Sequence, residues 1–144
     1  MSIIKEFKGE YSWLSNFTNC KINYQGKEYP SVEHAYMSAK CDAEEWKTIC
    51  QDASIHASII KKEARNIPLV SNWENIKLEV MYECLKEKYS QEPFKTKLLK
   101  TGEATIIEGN WWGDMYWGVC LKTQAGENKL GLLIMLIRNQ LRES

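Results

Sequence analysis

The chain has 144 residues, enough for one domain with a core of its own and too few for two comfortable ones. Its 44% hydrophobic and 26% charged residues are those of an ordinary globular protein, which excludes disordered and collagen-like classes. With 19 basic and 19 acidic side chains the formal net charge is zero, so the positive excess that grips a nucleic-acid duplex is missing, though a local phosphate pocket is not excluded.

Residues 1 to 30 read as extended or turn-like. Within them Lys21-Ile-Asn-Tyr and Lys27-Glu-Tyr flank Gln25-Gly26, the pattern of a short β-hairpin. Pro30-Ser31 then opens a helix with Ser31 as N-cap, and Val32, Ala35, Tyr36 and Ala39 keep helical spacing. Short helices are predicted over 43–50 and 53–64, the second ending before Pro68. The clearest amphipathic helix runs from Ile76 to Tyr89, and another from Pro93 to Leu99 is stopped by Thr101-Gly102. Ala104–Ile107 reads as a β segment, and "EGNWWGDMYWGVC" (108–120) as loop. Asn128 is expected to cap a last helix reaching about Leu141. The expected fold is therefore mainly α (α+β), a single multi-helical domain over residues 1–144 with a small antiparallel β element.

The opening Met1-Ser-Ile-Ile-Lys-Glu-Phe lacks the apolar core of a secretory signal, and the longest apolar run, Leu130–Ile137, is too short for a bilayer. A cytoplasmic setting without membrane association is expected. The five cysteines are odd in number and scattered, with no C-x-x-C pair, so reduced and mostly buried thiols are expected rather than disulfides. Two histidines without a ligand cluster predict no metal.

The stretch "PSVEHAYMSAK" (30–40) carries the densest chemistry. On a helix Glu33, Tyr36, Met37 and Lys40 share a face, because residues three, four and seven apart line up. Glu33 and Lys40 lie about 10 Å apart along the axis, at a rise of about 1.5 Å per residue. That is too far for a direct ion pair, yet both can reach one ligand. Glu33 in the first turn also serves the bland role of capping, and His34, about 100° round the helix, that of a packed residue. Three further pieces are of the same ambiguous kind. "LSNF" (14–17) offers the Asn16 amide and the Phe17 ring; "GDMYWG" (113–118) puts Asp114 and Trp117 between glycines on a loop; and "GENKLG" (126–131) leads into a helix start whose N–H groups suit a phosphate.

Taken in order, "LSNF", "YPSVEHAYMSAK", "NWENIKLEVMYECLKEKY", "LLKTGEATIIEGN", "DMYWG" and "GENKLGLLIMLIRNQL" resemble the YbiA-like proteins of the NADAR superfamily over nearly the whole chain. The resemblance implies a YbiA-like helical fold and an N-glycosidase that cuts a ribose-type sugar from a nitrogenous group, without a cofactor. The small-molecule substrates it implies are riboflavin-pathway pyrimidine ribosylamine phosphates and ADP-ribosylated guanine, the latter extending to ADP-ribosylated nucleic acid. It marks Glu33, Lys40 and Asp114 as catalytic, with Lys40 attacking the sugar to form a Schiff base. It marks Asn16, Phe17, His34, Tyr36, Trp73, Trp117, Gly118 and Asn128 as substrate-binding. This chain has Lys62-Glu63 where the family commonly has Gly-Arg, an arginine suited to a phosphate, and Lys61, Lys62 and Arg65 are the candidates to substitute for it as a point charge or fork. The same residues also fit a non-catalytic ADP-ribose or nucleotide-binding module.

Overall fold

The computed structural model describes residues 2–144. In chain order its first elements are β1 (Ile3–Ile4), β2 (Ile22–Tyr24), β3 (Lys27–Tyr29), α1 (Val32–Ser38), α2 (Glu44–Cys50) and α3 (Ala57–Glu63). They are followed by α4 (Trp73–Tyr89), α5 (Phe94–Lys100), β4 (Thr105–Ile106), β5 (Gly109–Asn110), β6 (Val119–Cys120) and α6 (Lys129–Glu143). The fold class is mainly helical, as expected. By backbone proximity the chain divides into two units, Asn16–Lys88 and the segment up to Ser15 together with Tyr89–Ser144.

In the Asn16–Lys88 unit, β2 and β3 form the expected antiparallel hairpin, with Ile22 opposite Tyr29. Its turn residues Gln25 and Gly26 both take positive φ, 53° and 78°, the conformation whose twist matches the strands. Ser31 caps α1 by accepting the His34 N–H at 3.1 Å, and all seven residues of the helix are buried. The helix then tightens and stops: Lys40 N–H reaches back only to Met37 O, at 3.2 Å, while Lys40 O accepts from Val70 N–H at 2.8 Å. Trp46, buried on α2, donates its indole N–H to Met37 O at 2.9 Å and ties the end of α1 to α2.

The next helix starts later than the expected residue 53. Asp52 takes both the N–H and the hydroxyl of Ser54 on one carboxylate oxygen, a local turn that competes with helix. His56 then caps α3 by accepting Ser58 N–H on Nδ1. Conversely α4 begins three residues before Ile76, at Trp73.

In the other unit, residues 9–14 form a 3-10 helix in a segment read from sequence as extended or turn-like. Two parallel pairs, β1 with β4 and β5 with β6, add to the antiparallel hairpin. The second lies inside the stretch read as loop; strands of two residues are too short to show alternation. Helix α6 buries Leu130, Ile134 and Ile137, and a Cβ on Gly131 would stand 2.2 Å from Ile106 O, so only glycine allows the helix this close to β4. All five cysteines are buried free thiols. Among the described residues no helix is long and apolar enough to cross a membrane.

Candidate active site

The quoted helix delivers its expected side chains to one place. Glu33 is a carboxylate only 6% exposed, at the capped end of α1, and its N–H donates to Asn16 O at 3.0 Å. This fastens the "SNF" turn onto the first turn of the helix. The Asn16 amide donates to Met81 Sδ at 3.5 Å, and its Oδ1 is buried with no hydrogen-bond partner. At the other end of α1, Tyr36 packs against Trp73 with ring centroids 5.1 Å apart. The Lys40 ammonium lies 5.8 Å from the Tyr36 ring and 5.7 Å from the Trp73 ring. These distances are those of cation–π contacts.

Burial lowers the Lys40 pKa below its ordinary value, because a desolvated ammonium is disfavoured. The Glu33 charge opposes that shift, and the charges of Lys61 and Lys77 add to it. Lys40 is thus a half-buried amine within electrostatic range of a buried carboxylate, against two aromatic rings.

His34 has a different task. Its Nε2 lies 2.8 Å from Ile55 O, a contact that requires a proton on Nε2, and its Nδ1 lies 2.6 Å from the Ser31 hydroxyl. One ring nitrogen contacts the Ser31 cap of α1 and the other ties the helix to the Ile55 carbonyl, and burial lowers the pKa of the ring.

Of the other expected residues, Phe17 follows Asn16 in the same unit, while Asp114, Trp117, Gly118 and Asn128 belong to the other unit. Asp114 Oδ1 accepts the N–H groups of Tyr116 and Trp117 at 3.1 and 3.0 Å, so the carboxylate organises its own loop. Trp117 is half-buried and meets Tyr116 edge-on at 4.8 Å. Gly118 has no room for a side chain, since a Cβ would stand 2.1 Å from Glu108 O. Asn110, not singled out from the sequence, is the loop's anchor: 1% exposed, it donates to Asp114 O at 2.9 Å and accepts from Asp114 N–H at 3.0 Å.

Asn128 stands at the start of α6 with φ 54°, but its side chain does not cap the helix. Its amide donates to Ile106 O and accepts from Glu108 N–H, pinning the β4–β5 connection. The phosphate site expected at this helix start is closed. The N–H groups of Glu127, Asn128, Lys129 and Leu130 donate to the carbonyls of Met115, Gly118, Tyr116 and Trp117. Loop 115–118 already occupies the donors a phosphate would need.

Comparison with known proteins identifies the family. Residues 4–142 match the NADAR domain. The chain belongs to the NADAR family. It is 33% identical over 134 residues to N-glycosidase YbiA of Escherichia coli K12, covering 92% of this chain and 82% of the relative. It is 30% identical over 139 residues to N-glycosidase Npun_R5314 of Nostoc punctiforme, covering 92% and 86%. The NMR structure of E. coli YbiA superposes with a TM-score of 0.86 at 31% identity, over 99% of this chain and 86% of that one. This NADAR protein is an enzyme of the N-glycosidase class.

Proposed function

We propose that this NADAR protein hydrolyses the C–N bond between C1 of a ribose and a nitrogenous group. The proposed substrates are pyrimidine ribosylamine phosphates of riboflavin synthesis and guanine carrying ADP-ribose, free or in nucleic acid. A relative 30% identical over 140 residues, from Vibrio vulnificus, is named a riboflavin biosynthesis protein; this chain spans 36% of it. The observation that carries the reading is the Lys40 amine, its pKa lowered by burial, in the field of buried Glu33 and against the Tyr36 and Trp73 rings.

Breaking the bond sends its electron pair to the leaving nitrogen and leaves positive charge shared by C1 and the ring oxygen. The Glu33 carboxylate, shielded from water, stabilises that charge. Neutral Lys40 adds to C1 and passes a proton to Glu33, which returns it to the ring oxygen as the C1–O bond breaks and a protonated imine forms. The departed nitrogen takes its proton from water. Water adds to the imine, releasing the sugar aldehyde and restoring the amine. Tyr36 and Trp73 supply flat surfaces for the sugar or base, and the buried Asn16 Oδ1, on the residue whose carbonyl holds the Glu33 N–H, offers an acceptor. Asp114 acts as a positioning residue, setting the Trp117-Gly118 backbone.

The test incubates wild type and Glu33→Gln with each substrate and follows the freed base and sugar by mass spectrometry. Loss of Glu33 is expected to slow release by about 10²- to 10⁴-fold, the range of general acid–base catalysis. Wild-type-like release by Glu33→Gln refutes the assignment. ADP-ribose binding by wild type without release from either substrate returns the binding-module reading.

A further inference from the structure

The proposed substrates carry phosphate on the sugar, so this inference rests on the reading above: the Asn16–Lys88 unit must hold an anion near Glu33 and Lys40. The sequence offers three cations for it, Lys61, Lys62 and Arg65, in place of the family's arginine. All three are exposed, and the surroundings of Lys61 separate it from the others.

The Lys61 ammonium lies 6.0 Å from the centroid of the Phe17 ring. Phe17 directly follows Asn16, whose carbonyl holds the Glu33 N–H. The edge of the same ring meets the His56 ring, with centroids 5.9 Å apart. His56 accepts the backbone N–H of Ser58 on Nδ1 at 3.1 Å, with the Ser58 hydroxyl at 2.8 Å. A nitrogen that accepts an N–H carries no proton, so the neutral ring holds its proton on Nε2, where it is a donor. Phe17 therefore has two polar neighbours that donate and do not accept at those positions.

Charge points the same way. Lys77, the other lysine whose charge acts on Lys40, is paired with Glu74 at 2.7 Å. Among the described residues Lys61 forms no ion pair with a carboxylate. Its charge nevertheless lowers the Lys40 pKa, so it stands within electrostatic range of the reacting amine. Lys62 is one residue further on, about 100° round α3. The start of α6, the other anion site suggested by the sequence, has spent its N–H groups on loop 115–118.

We propose that Lys61 and His56, flanking the Phe17 ring, form the phosphate-recognition subsite of this enzyme. The subsite takes a sugar phosphate ester or diphosphate as a multiply charged anion. Lys61 meets it as a mobile point charge, where an arginine would grip two oxygens at fixed geometry.

The experiment titrates ribose 5-phosphate and ribose into wild type, Lys61→Met, Lys61→Arg and Lys62→Met by calorimetry. In parallel, wild-type base release is followed on both proposed substrates. Wild type is expected to prefer ribose 5-phosphate over ribose. Lys61→Met should weaken ribose 5-phosphate about tenfold or more, the effect of one charge-assisted hydrogen bond, and leave ribose unchanged. Lys61→Arg and Lys62→Met should keep the preference. No preference in wild type, an unaltered preference in Lys61→Met, or equal loss in Lys62→Met overturns the subsite. Absence of wild-type base release overturns the reading of the reaction instead.

Discussion

Lys88 lies on α4 with no exposed surface, and burial pushes its pKa down to about 7 from the ordinary 10.5. The partial counter-effect comes from Cys20. Unfolded, the amine would keep its proton up to pH 10.5; folded, it releases it near neutrality. The unfolded chain thus binds more protons between those limits, and stability rises with pH across them. Between pH 7 and 8.5 the gain is about 1–2 kcal/mol, at roughly 1.4 kcal/mol per pKa unit. The window should stop there, because thiols pushed up by burial, Cys50 to about 12, reverse the trend once unfolded cysteines ionise near 9. It also lies above the lowered pKa of His34. Lys40 contributes with the same sign as Lys88, but equally in wild type and in Lys88→Met, so the difference between the two isolates Lys88. Urea unfolding at pH 7.0, 7.75 and 8.5 should give converging stabilities, with Lys88→Met gaining about 1–2 kcal/mol less than wild type over the range. Parallel curves would refute the reasoning and show that Lys88 stays protonated in the fold.

Two further outcomes follow from the same geometry. If Lys40 forms the proposed imine, borohydride added during turnover should fix the sugar to the protein, with an adduct on wild type and none on Lys40→Arg by intact mass. Its lowered pKa places the rise of activity with pH below the ordinary lysine range, since only the neutral amine attacks. In α6, Gly131→Ala would ordinarily favour the helix by up to about 1 kcal/mol. Here the added methyl meets Ile106 O at 2.2 Å and the Asn128 side-chain amide at 2.5 Å, so a net loss of about 1–3 kcal/mol is expected from thermal or denaturant unfolding.

The parts of this molecule legible in the sequence are those fixed by neighbours along the chain. Gln25-Gly26 announced the hairpin because few other pairs accept two positive φ angles. Ser31 announced α1 because its hydroxyl satisfies an N–H three residues on. The grouping of Glu33, Tyr36 and Lys40 was likewise written into their spacing. What stayed illegible depends on partners distant in sequence. Nothing near "GENKLG" says that carbonyls 115–118 will consume its N–H groups, and nothing in "SNF" says that Lys61 and His56 will flank the ring of Phe17. Asn110 escaped notice because a buried amide that ties a loop to itself has no composition or period. The late start of α3 was foreseeable in principle, since Asp52 and Ser54 are a turn pair, but the apolar spacing around them suggested helix.

A depressed lysine pKa does not by itself choose between Lys88 and Lys40. The deeper depression, to about 7, belongs to Lys88. Yet Lys88 has no exposed surface, whereas Lys40 is half-buried and keeps a route to a substrate. Desolvation is the leading cause in both; what differs is the company. The Lys40 amine faces two aromatic rings and feels a buried carboxylate two helical turns away, so its proton has somewhere to go and its target somewhere to lie. Burial supplies the reactivity of such an amine, and access with a proton acceptor makes it useful. On those grounds the proposed mechanism assigns the chemistry to Lys40 and leaves to Lys88 a cost in stability.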